Sequence, residues 1–177
     1  EIINDTVAKG GNVVIPAFAV GRTQVLLYYF QKLLQEGRIP QVPIIIDSPM
    51  ASKATAITLT NPQEYDEEAR ALYEMHGNRL LAIPNLRFTA TAQESRMINE
   101  MPGPKIIVSA SGMADAGRIL HHLKHNLWRP ECTILFVGYQ AVGTLGRSLV
   151  EGADEVRLFG EPIQVRAQIK QLAGLSG

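Results

Sequence analysis

The sequence has one cysteine, one tryptophan and no excess charge of either sign, with 17 Lys and Arg against 17 Asp and Glu. A lone cysteine cannot close an internal disulfide, which points to a reducing compartment, the cytoplasm. Cys132 follows Glu131 and opens an apolar run, with no helix start or histidine beside it. It reads as a small buried residue rather than a nucleophile. Zero net charge excludes a general electrostatic sponge for nucleic acid, though not a local basic cleft. No signal peptide is evident, and no apolar run is long enough to cross a membrane as a helix, so no membrane partner is expected. An initiator methionine is also missing. Glu1 opens what reads as mid-helix, with no capping residue before it and Gly10-Gly11 after it, so a piece excised or processed from a longer protein is expected.

What is present describes a folded chain. An apolar fraction of 46% and a charged fraction of 19% suit a globular protein, and 177 residues suit one domain, 1–177, with a sizeable core.

Strands and helices alternate along it. Asn12 to Phe18 reads as a buried strand, and Thr23 to Glu36 as a helix with Leu26, Leu27, Phe30, Leu33 and Leu34 on one stripe and Gly37 as its stop. Pro43 to Asp47 is a second strand. Ala51 to Thr60 and Gln63 to His76 read as helices split by Asn61-Pro62. Leu86 to Thr89 and Lys105 to Ala110 are strands around a helix near Gln93 to Met101. A helix from Gly117 to Trp128, a strand from Thr133 to Tyr139 and a short helix from Leu145 to Glu151 follow. Continuous apolar strands between helices predict a doubly wound α/β fold, a mainly parallel, Rossmann-like sheet with helices on both faces. The last segment differs. Val156 to Phe159 and the alternating Ile163 to Ile169 flank Gly160-Glu161-Pro162, which predicts a C-terminal β-hairpin.

One pattern recurs three times: buried strand, loop, Gly-Arg, helix. The arginines are Arg22, Arg118 and Arg147. In a parallel sheet these loops share the carboxyl edge, where open α/β sheets bind ligands. Glycine-freed backbone N–H groups and helix N-termini there favour anions. A cation in a helix's first turn opposes the dipole by roughly 0.3–1 kcal/mol, which makes sense if an anion lies between the three. The alternative is that each arginine braces a loop by pairing with a carboxylate such as Asp47 or Asp115.

Other motifs are weaker. Gly138 and Gly143 have P-loop spacing, but Thr144 stands where the lysine belongs, and no Gly-x-Gly-x-x-Gly fingerprint is present. His121 and His125 are four apart and could share a metal, yet nothing nearby completes a ligand set. A surface or core-edge role suits the cluster of His121, His122 and His125 better. Asp47 and Ser48 end a buried strand and either orient a ligand or cap the next helix.

Taken in order, "GGNVVIPAFAVGRTQ", "IIIDSPMA", "SASGMADAGRILHHL" and "GYQAVGTLGR" closely resemble the β-CASP domain, which is inserted in metallo-β-lactamase-fold nucleases that process RNA. The match covers nearly the whole chain. One departure is Asp115-Ala116-Gly117, which lacks a second glycine before the Gly-Arg. The resemblance implies a zinc-dependent ribonuclease as the parent, with two zinc ions held in a separate metallo-β-lactamase domain by a His-x-His-x-Asp-His motif and further His and Asp residues. None of those is in this sequence, so no catalytic residue and no metal ligand is expected here, and the chain alone is expected to be inactive. Its implied partners are single-stranded RNA and that lactamase-like domain. The substrate-side positions carried over are Ser111, Gly112, Met113, Gly143, Thr144, Arg147 and Ser176, with Arg22, Ser109 and Arg118 beside them. Two other readings stand next to this one: a phosphate- or sugar-nucleotide-binding domain of a transferase, and a catalytically dead scaffold relative.

Overall fold

The computed structural model describes residues 1–17, 22–47, 86–89, 91–109, 114 and 117–172, with only the backbone for 22–25. The two helices expected between Ala51 and His76 lie outside these residues.

Helix α1, Ile2–Ala8, leads to strand β1, Val13–Pro16, and helix α2, Arg22–Gln35. Strands β2, Ile44–Asp47, and β3, Leu86–Phe88, precede helix α3, Ala92–Ile98. Then come β4, Ile106–Ser109, α4, Ile119–Asn126, β5, Thr133–Phe136, and α5, Leu145–Val150. Three short strands follow: β6, Glu155–Leu158, β7, Glu161–Gln164, and β8, Gln168–Gln171.

Among the described residues six strands form one parallel sheet in the order β3-β2-β4-β1-β5-β8. The four inner strands are buried at every position because both faces are covered. Alternation along each strand splits its side chains between two cores. Val13, Ile15, Ile44, Ile46, Ile106 and Val108 pack against Ile3 of α1 and Leu26, Leu27 and Phe30 of α2. Val14, Ile45, Ile107, Ile134 and Phe136 pack against Ile98 of α3, Ile119 and Leu123 of α4 and Leu149 of α5. The expected doubly wound architecture is therefore what forms.

Gly11 allows one close approach. A Cβ there would lie 1.8 Å from the Glu131 carbonyl oxygen, so the turn into β1 passes the turn into β5 without room for a side chain. Cys132 is fully buried beside it and takes the Asn12 N–H on its sulfur at 3.4 Å, and burial pushes its thiol pKa up.

The C-terminal segment corrects the sequence reading. The hairpin is β6 with β7, antiparallel, and its turn is Phe159-Gly160, both at positive φ (53° and 78°) as a two-residue hairpin turn requires. Glu161 and Pro162 belong to β7 instead of the turn. Pro162 fits because a two-stranded ribbon leaves one side of each strand without ladder bonds. Nor does one strand run from Ile163 to Ile169. The chain breaks after Gln164, where the backbone N–H groups of Arg166 and Ala167 both turn to the Leu127 carbonyl. It then re-enters the main sheet as β8, parallel to β5. An alternating pattern suits either arrangement, and the long-range bonds to Leu127 select this one. The hairpin docks on α4, where the Phe159 ring stacks on His121 at 4.6 Å and Lys124 pairs with Glu161 at 3.2 Å.

Candidate nucleic-acid interface

Strands β4, β1 and β5 are consecutive neighbours in the sheet, and each is followed by one of the Gly-Arg helices. Arg22 opens α2 after β1, Arg118 is the N-cap of α4 after β4, and Arg147 lies in the first turn of α5 after β5. The three elements thus start along one stretch of the carboxyl edge. Helix α2 leaves β1 over one face toward β2, and α4 leaves β4 over the other face toward β5. Adjacent strands whose connections part in opposite directions make the crevice at which doubly wound sheets bind ligands.

The β5 loop is the best described part. Gly143 has φ +90°, a conformation that non-glycine residues adopt only with strain. Thr144 caps α5: its Oγ1 accepts the Arg147 N–H at 3.2 Å and donates to the Ala141 carbonyl at 2.7 Å. Arg147 donates from Nε to Glu151 at 2.7 Å and from Nη1 to the Gln140 carbonyl at 3.1 Å. Glu151 one turn along holds the guanidinium above its ordinary pKa. The Arg147 side chain remains one-third exposed, and Tyr139 and Val142 stand out into solvent on the same loop.

Behind the β4 loop lies a polar cluster of a different kind. The Asp47 carboxylate at the end of β2 has no exposed surface. Its Oδ1 accepts from Thr89 Oγ1 at 2.5 Å and Arg118 Nη1 at 2.9 Å. Its Oδ2 accepts from Ser95 Oγ at 2.5 Å and His122 Nε2 at 2.5 Å. Burial alone would raise the Asp47 pKa. The hydrogen bonds from His122, Ser95 and Thr89 and the charge of His122 outweigh it and hold the group well below the usual carboxylate range. Ser109 completes the cluster, donating its hydroxyl to the Asp47 backbone carbonyl at 2.8 Å.

These contacts sort the candidates. Arg118 has the Asp47 partner that the bracing alternative requires, and Arg147 has a brace in Glu151 while keeping exposed surface. The Ser109 hydroxyl is buried and engaged within the sheet. Asp47 points into the fold, so it anchors loops and does not orient a ligand. Ser111, Gly112, Met113, Asp115 and Ser176 lie outside the described residues, as does the side chain of Arg22. Of the three clustered histidines, His122 is the one that is fully buried and bonded to Asp47. Its place on the buried face of α4, three residues after Ile119, is the signal in the sequence. Among the described residues no group of three His, Cys, Asp or Glu side chains converges to hold a metal, and no helix is long and apolar enough to cross a membrane.

Fold and crevice together define a doubly wound α/β domain whose carboxyl edge gathers three helix starts. Comparison with known proteins gives the family: the profile of the Beta-Casp domain matches residues 23–149, and the chain belongs to that family. It is 38% identical over 178 residues to a protein named ribonuclease TTHA0252 of Thermus thermophilus, covering 100% of this chain and 40% of that protein. It is 35% identical over 172 residues to an RNase J-like protein of Methanocaldococcus jannaschii, covering 97% and 38%. It is 32% identical over 181 residues to transcription termination factor FttA of Methanosarcina mazei, covering 99% and 28%. The chain therefore spans well under half the length of these relatives.

Proposed function

We propose that this chain is the RNA-holding domain of a zinc-dependent ribonuclease that hydrolyses phosphodiester bonds. The observation that carries the reading is the alignment of three Gly-Arg helix starts on adjacent strands β4, β1 and β5. Such an edge suits phosphates, because the helix starts and their backbone N–H groups lie at the same end of the sheet. The names ribonuclease and RNase J-like protein among its relatives agree with RNA as the substrate.

Zinc in this reading belongs outside the chain. The described residues offer no group of three ligands for it. Zinc supplies an activated water when bound in such enzymes. This chain's part is to bind the RNA backbone, fix its register and present it across the cleft. Single-stranded RNA and a lactamase-like domain are the partners, the cytoplasm is the location, and the chain by itself is inactive.

Arg147 tests the reading. In the intact protein, Arg147→Ala is expected to weaken RNA binding alike for all sequences and lower the salt slope of affinity by about one unit. Its zinc content is expected to stay the same. A well-folded variant with unchanged affinity and slope would remove Arg147 from the interface and leave it only the brace to Glu151.

A further inference from the structure

A polar cavity lies at the opposite, amino-terminal edge of the sheet. It has a volume of about 370 Å³, within the roughly 300–1,000 Å³ typical of small-molecule sites. Its wall includes Asn12 ahead of β1, Gly103 and Lys105 ahead of β4, and His125, Trp128 and Arg129 at the end of α4 and ahead of β5.

Two of these residues have unmet chemistry. Lys105 is only 3% exposed, and its ammonium meets neutral acceptors alone: the Gly103 carbonyl at 3.0 Å and Asn12 Oδ1 at 3.4 Å. Among the described residues no carboxylate pairs with it. Arg129, by contrast, is paired with Glu131 at 2.8 Å. Burial, then the charge of Arg129, lower the Lys105 pKa, as expected for a buried cation short of an anion. Trp128 leaves 53% of its surface in solvent at the rim of the same cavity. A buried cation and an open indole in one cavity match a ligand with an anionic end and a flat aromatic end.

We propose that this cavity binds a nucleoside monophosphate, with the phosphate against Lys105 and the base on Trp128, the nucleotide being either free or one unit of an RNA strand. Inorganic phosphate alone would leave most of the cavity unfilled. The site lies at the edge opposite the Gly-Arg loops, so it stands or falls independently of the interface proposed there.

Trp128 is the chain's one tryptophan, so the fluorescence of this chain excited beyond the tyrosine band reports on this site. Adenosine 5′-monophosphate is expected to quench it saturably, adenosine to bind at least about tenfold more weakly, and inorganic phosphate to compete. Lys105→Met is expected to weaken the nucleotide about tenfold or more. Trp128→Ala, read by calorimetry, is expected to do the same, and its exposed position keeps the test available if the lysine variant fails to fold. Quenching by a short single-stranded RNA and not by the mononucleotide would assign the site to a unit of an RNA chain. No response to either at millimolar concentration, or a response undiminished by both substitutions, would overturn the proposal.

Discussion

His122 Nε2 lies 2.5 Å from Asp47 Oδ2, and neither side chain has exposed surface. The two residues are 75 apart in sequence, and their contact ties the end of β2 to the middle of α4. Thr89, Ser95 and Arg118 fill the remaining positions around the carboxylate. One buried group therefore anchors the ends of β2 and β3, helix α3 and the start of α4. Of the three Gly-Arg elements, the one after β4 is tied to this group, through Arg118.

The pH dependence of stability follows from Asp47. Its folded pKa is depressed from the ordinary 3.8, so its stabilisation is fully present above that value and is lost as pH falls below it. Melting curves from pH 7 to pH 3 are expected to show an acid limb that Asp47→Asn flattens. At pH 7 the variant is expected to be less stable by about 3–5 kcal/mol, because buried donors lose their charged acceptor. Parallel acid limbs in the two proteins would contradict this role.

Asp47 and His122 are also expected to be coupled. In a double-mutant cycle with Asp47→Ala and His122→Ala, the interaction energy from denaturant unfolding is expected to exceed about 1 kcal/mol, since each single variant strands the other's buried polar group. Additive effects would show that the pair packs together without depending on the bond.

Two glycines are expected to behave differently. Gly11→Ala places a Cβ within bonding range of a backbone carbonyl, which must move, at a cost of about 3 kcal/mol or more. Gly37→Ala meets nothing within 4 Å but sits at φ +66°, so it costs about 1–2 kcal/mol through backbone strain alone. Thermal melts of both variants check the order, and a Gly11 variant as stable as the Gly37 variant would reverse it.

Thr144 separates capping from RNA contact. Its hydroxyl already accepts from the Arg147 N–H and donates to the Ala141 carbonyl. Thr144→Ala is expected to lose about 1 kcal/mol of stability, and Thr144→Ser to restore most of it. RNA affinity is expected to fall less than for Arg147→Ala. A larger loss of affinity than the arginine variant shows, at unchanged stability, would make the hydroxyl a direct contact.

Local chemistry made much of this protein legible. Apolar runs such as Ile44 to Ile46 and Ile106 to Val108 announce buried parallel strands, and Gly37 marks a helix end because only its backbone takes the left-handed turn easily. The three Gly-Arg repeats marked three helix starts after buried strands, since an apolar run and a helix start are both local properties. Sheet order, the splitting of the Ile163 to Ile169 segment and the meeting of His122 with Asp47 were not readable in this way. They depend on which distant groups meet once the layers pack. The Leu127 carbonyl draws Arg166 and Ala167 out of the hairpin, and Asp47 receives His122 and Arg118 across α4. A buried carboxylate needs donors, and only the folded arrangement decides which side chains are within reach to supply them.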